Sequence, residues 1–142
     1  MKIVVGDWQS PQGINIAAYY TNKSGLRFWT VFTAMGFLND EGELTGAAIF
    51  TDYTRSSIEL HIIGDRLLTR ANLKHIARYV FEQLSCNRLT VKLERKDEHL
   101  AKYLTRIGFE YEATLKAYYG LSEDRDALVY RIMRPQAEKW IK

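Results

Sequence analysis

Apolar and polar residues follow two different periods along the chain, and the change of period divides it. Residues 2–5 form a short β-like run, and residues 7–24 hold Pro11, Gly13 and a predicted helix around 15–20. Residues 28–32 and 33–38 are rich in aromatic and β-branched side chains and predict strand. Residues 39–43 read as a turn in which Gly42 can take a positive φ. Residues 44–51 and 57–63 predict two further strands, separated by a polar turn at 53–56. Three strands joined by short turns predict an antiparallel meander.

After Gly64 the period lengthens. Leu73, Ile76, Ala77, Val80, Phe81 and Leu84 recur every three or four residues, the apolar stripe of an amphipathic helix, with Thr69 placed to cap it. Leu89, Val91 and Leu93 then alternate with Thr90, Lys92 and Glu94, as a strand requires. Asp97 can cap a second helix with Leu100, Tyr103, Leu104 and Ile107 inward, and Gly108 stops it. Residues 111–115 and 127–133 predict the last two strands, and residues 136–142 a short frayed tail. The pattern is a β-meander followed by α-β-α-β-β. It predicts an α+β class with a mixed sheet, and a single domain over residues 1–142.

Composition narrows the functional classes. Hydrophobic residues make up 46%, aromatic residues 13% and charged residues 26% of 142 residues, which excludes a disordered chain. No apolar run is long enough to span a bilayer, and the first seven residues turn polar too soon for a signal peptide. Cys86 is the single cysteine, so neither an internal disulfide nor a zinc knuckle is expected. These features predict a cytoplasmic protein with no membrane partner and no metal. The net charge of +3 is uneven: residues 1–65 carry 4 basic and 7 acidic side chains, residues 66–142 carry 16 and 10. So small an excess argues against nucleic acid as a partner.

The stretch Asp97-Glu98-His99-Leu100-Ala101-Lys102-Tyr103-Leu104-Thr105-Arg106-Ile107-Gly108-Phe109 resembles the late segment of the GNAT acyl-CoA N-acyltransferases, where a helix ends in Leu-Gly-Phe. Residues 124–133 are similar to the final strand of the ribosomal-protein alanine acetyltransferase subgroup. The resemblance spans about residues 44–134. It implies a GNAT-like fold and transfer of an acetyl or other acyl group from acetyl-CoA to a primary amine, on a small molecule or on a protein. The family's Arg/Gln-x-x-Gly-x-Gly/Ala loop is matched by Arg66-Leu67-Leu68-Thr69-Arg70-Ala71, with Thr69 at the central glycine. The resemblance thus places the cofactor pyrophosphate at Arg66, Thr69, Arg70 and Ala71, and the pantetheine arm on the backbone of Ile62 and Ile63. It places Asp97 at the family's CoA-holding asparagine, although a carboxylate there repels phosphate. The family's tyrosine acid falls at Leu104, and Tyr103 lies about 100° around the helix from it.

Glu59 and His61 lie two apart on the third meander strand and so share a face. The resemblance makes them the candidate bases for the amine. Polar residues on a half-exposed strand also serve as plain hydrogen-bond partners. Lys74 and Arg78 read as the solvated face of their helix. The alternative to an enzyme is a GNAT scaffold that has lost its cofactor and serves as an interaction or virion-type structural component, as in small phage-type members.

Overall fold

The computed structural model describes residues 2–64, 67–122 and 125–142. Seven strands lie among them: β1 (Lys2–Asp7), β2 (Thr33–Leu38), β3 (Leu44–Thr51), β4 (Ser57–Gly64), β5 (Arg88–Glu94), β6 (Glu110–Leu115) and β7 (Ala127–Met133). Four α-helices accompany them: α1 (Pro11–Ser24), α2 (Arg70–Ala77), α3 (Glu98–Ile107) and α4 (Arg134–Ile141). The strands form a sheet in the order β1-β2-β3-β4-β5-β7-β6. The pairs β1/β2, β2/β3, β5/β7 and β6/β7 are antiparallel. The expected mixed-sheet α+β architecture is the observed one. The chain divides into two compact units, residues 1–53 with 60–72, and residues 54–59 with 73–142.

In the first unit α1 packs on β1, β2 and β3. Its start is set by Ser10, whose Oγ accepts the Gly13 N–H at 3.1 Å, and by Pro11 in the first turn. Its end is set by Gly25 at φ +79°, which returns its N–H to the Thr21 carbonyl. The helix is therefore longer at both ends than residues 15–20. Gly6 and Gly13 explain the close approach of β1 to its first turn: a Cβ on Gly13 would meet the Asp7 carbonyl oxygen at 1.9 Å. Ile16 and Tyr20 pack with Phe32, Ala34, Ala47 and Ile49 to form the core of this unit. Burial pushes the Tyr20 phenol up to about 12.

Residues 28–32, expected as strand, are irregular backbone, and β2 begins only at Thr33. Phe28 and Phe32 turn inward against Tyr20, with ring centroids 5.1 Å apart for Tyr20–Phe28 and 6.0 Å for Phe28–Phe32. Aromatic content here serves an anchor in a loop, which β propensity cannot distinguish from a strand.

In the second unit β5 buries Leu89, Val91 and Leu93 on one face, as their alternation requires. The expected amphipathic helix divides. Beyond α2, residues Arg78–Gln83 form a π-helical turn closed by the Leu84 N–H to the Tyr79 carbonyl at 2.9 Å. Val80 and Phe81 stay fully buried through it. Six residues are too few for the apolar stripe to separate the two helical periods.

Gly108 ends α3 at φ +115°, as its position predicts. Asp97 stands at the N-cap of α3, yet its side chain makes no capping hydrogen bond. Of the 136–142 tail, expected to fray, residues 136–141 lie within α4. Trp140 packs on the Phe109 ring at 5.8 Å and donates its indole N–H to the Ile107 carbonyl at 3.0 Å. Ala137 and Trp140 are the buried residues of α4, and the satisfied indole N–H suits Trp140 to burial.

Candidate active site

Candidate functional side chains occur in each unit. In the first unit β3 ends on Thr51 and Asp52 turns away with φ +56°. The Thr51 hydroxyl donates to Asp52 Oδ2 at 2.8 Å, so its oxygen is left to accept from His61 Nε2 at 2.8 Å. This order assigns the Nε2 proton to His61. The ring is held edge-on against Phe28 at a centroid distance of 5.2 Å.

Beyond His61, Ile62 and Ile63 occupy the last half of β4 and are partly buried. Arg66 lies outside the described residues. Thr69 caps α2 as the sequence predicts, its Oγ accepting the Asn72 N–H at 3.2 Å. Asn72 is buried and its side-chain amide donates to the Leu67 carbonyl at 2.6 Å. Arg70 and Ala71 are exposed in the first turn, which contains no carboxylate. Positive potential at a helix start and an exposed guanidinium, with no acid in the first turn, suit an anionic group. Thr69 takes one amide of that turn for itself.

In the second unit Glu59 is buried and pairs with Lys92 Nζ on β5 at 2.9 Å. The Lys92 ammonium also lies over the Tyr118 ring at 5.0 Å, and Tyr118 stacks edge-on with Tyr119 at 4.9 Å. Burial opposes the charged form of Lys92. The hydrogen bond and charge of Glu59, with a smaller contribution from Tyr118, outweigh it and raise the lysine above its ordinary value. Asp97 is exposed at the start of α3 next to Glu98, a pair of carboxylates that disfavours phosphate. Leu104 is fully buried, so the family's tyrosine position carries no proton donor here.

Further ion pairs line β5, β6 and β7. Glu112 bridges Arg88 and Arg131, while Asp126 accepts the Ala117 N–H at 2.8 Å and pairs with Arg95. The Arg88 hydrogen bond is the largest influence lowering the Glu112 carboxyl; burial opposes it, and the charges of Arg88 and Arg131 add to it. The Ala117 hydrogen bond leads in lowering Asp126, burial again opposing and Arg95 adding. Carboxyls lowered in the folded state add stability that is present above their unfolded values, near about 4, and lost as pH falls through the folded values. Thermal melts should therefore hold level down to about pH 4 and then decline. Arg88→Gln should lower stability near neutral pH by less than about 1 kcal/mol, because the pair is partly exposed, and converge on the parent in acid. A deficit that persists undiminished at low pH would refute this assignment.

The partners of these residues carry no local signal in the sequence: Thr51, Asp52 and Phe28 beside His61, and Lys92 beside Glu59 with Tyr118 beside Lys92, are brought together by strand register and loop path.

The sheet order and its helices define the GNAT fold class. No family model matches the chain, and no curated protein sequence matches it. Among solved structures, the chain is similar to the spermidine/spermine N-acetyltransferase SpeG from Vibrio cholerae in complex with manganese ions. The TM-score is 0.75 at 11% identity, over 99% of this chain and 98% of that one. It is also similar to a chimera of the Vibrio cholerae spermidine N-acetyltransferase SpeG and hSSAT, with a TM-score of 0.74 at 13% identity, over 98% and 99%. The chain has the GNAT fold from end to end, as the late-segment resemblance implied.

Proposed function

We propose that the chain is an N-acyltransferase that moves an acetyl group from acetyl-CoA to a primary amine. The observation that carries this reading is the Asp52–Thr51–His61 line on a fold shared with acetyltransferases. An aliphatic amine is protonated at neutral pH and must lose a proton before it attacks a thioester carbonyl. His61 accepts that proton while Thr51 holds its orientation. Arg70 and the start of α2 would hold the pyrophosphate, and the backbone of Ile62 and Ile63 would face the pantetheine arm. Acetyl-CoA supplies the activated acyl group. Spermidine and spermine, named for the structural neighbours, are the first acceptors to assay. A protein N-terminus or lysine follows.

Calorimetric titration with acetyl-CoA tests the reading. Saturable binding is expected, weakened roughly ten- to hundredfold by Arg70→Glu, which reverses one charge-assisted phosphate contact. Absence of any binding heat from the parent protein would sink the enzyme reading and leave a GNAT scaffold without its cofactor.

A further inference from the structure

The connection from α1 to β2 presents a set of side chains that the catalytic reading does not use. Its path is fixed at both ends. Ser24 Oγ donates to the Tyr20 carbonyl and accepts the Leu26 N–H at 3.1 Å, and Gly25 closes α1 in the left-handed region. Phe28 then turns inward against Tyr20, Phe32 and His61. The residues flanking this anchor project outward: Leu26 is 40% exposed, Val31 61% and Trp29 86%. Arg27 is exposed between them, and Lys23 stands over the Tyr19 ring in the last turn of α1. No Asp or Glu occurs from Trp8 to Asn39, so no carboxylate of this stretch offsets the two cations.

An exposed tryptophan and two aliphatic side chains beside Lys23 and Arg27 match the interface of an anionic bilayer. There an indole sits at headgroup depth and cations meet lipid phosphates and carboxylates. Nucleic acid fits less well. Its affinity rests on neutralising many phosphates, and two cations supply little of that. No helix among the described residues is long and apolar enough to cross a membrane, so the contact would be peripheral. We propose that the α1–β2 loop docks the protein on an anionic lipid surface, with Trp29, Leu26 and Val31 entering the headgroup layer and Arg27 and Lys23 pairing with lipid charge. This revises the expectation of no membrane partner. It is independent of the acyltransfer reading.

Co-sedimentation with vesicles of phosphatidylcholine containing phosphatidylserine, against phosphatidylcholine alone, tests it with the whole chain. Binding is expected only to the anionic vesicles, weakening as salt is raised, with a blue shift of tryptophan emission. Trp29→Ala should lower the partition coefficient roughly tenfold. Arg27→Gln should lower it about fivefold. Both side chains are exposed, so thermal melts of the two variants should match the parent. No binding to anionic vesicles, or equal binding by parent and both variants, would overturn the proposal. So would a lipid-free dimer, seen in sedimentation velocity and abolished by Trp29→Ala, since the patch would then face a second copy of the chain.

Discussion

His61→Ala is expected to lower turnover of acetyl-CoA with a polyamine acceptor by roughly a hundred- to ten-thousandfold, the usual reach of a positioned general base. Acetyl-CoA affinity should change little, because the imidazole lies away from Thr69 and Arg70 in the chain and is expected to act on the amine. The acid limb of the pH–rate profile should disappear in the variant, since that limb reports protonation of the base. Thr51→Val should give an intermediate loss. It leaves the ring in place but removes the acceptor of the Nε2 proton and the link to Asp52. Steady-state rates over a pH series read all three. Turnover within about twofold of the parent would remove His61 as the base. If the parent binds acetyl-CoA but Glu59→Gln alone abolishes the rate, the assignment passes to Glu59.

Lys92→Met is the second large effect, and it falls on stability. The Glu59 and Lys92 side chains are 9% and 22% exposed and lie 2.9 Å apart. Removing only the ammonium leaves a buried carboxylate without its counter-charge, which costs about 3 kcal/mol when one partner of a buried pair is deleted. The double variant Glu59→Gln with Lys92→Met should recover most of that loss, because the pair as a whole adds far less than its breaking costs. Denaturant midpoints at constant slope provide the measurement. If the single and double variants are equally destabilised, the loss is one of packing by the lysine stem. The raised Lys92 value carries a sign of its own. Its contribution is fully present below the unfolded lysine value, near about 10.4, and is lost as pH rises through the folded value.

Several elements were legible because their signals are local. Strands β3 and β5 follow from residues 44–51 and from the alternation of Leu89, Val91 and Leu93. Gly42 takes φ +80° in its turn, Gly108 takes φ +115° at the end of α3, and Thr69 caps α2 through the Asn72 amide. The errors fell where tertiary contacts override local preference. Residues 28–32 have strand-like composition but fold as an anchored loop, because Phe28 has Tyr20 and His61 to pack against. The tail is helical because Trp140 reaches Phe109 and Ile107. The β5-β7-β6 order was invisible, since the last strand in sequence enters between two earlier ones.

The sequence by itself determined the order of elements, most of their boundaries, the GNAT resemblance and the shared face of Glu59 and His61, all properties of spacing along one chain. Only the tertiary structure decided how those two side chains differ. His61 meets Thr51, ten residues earlier, while Glu59 meets Lys92, thirty-three residues later. Proton affinity depends on the charges and hydrogen bonds within a few ångströms of a group, and those are set by which strands and loops come to lie beside it.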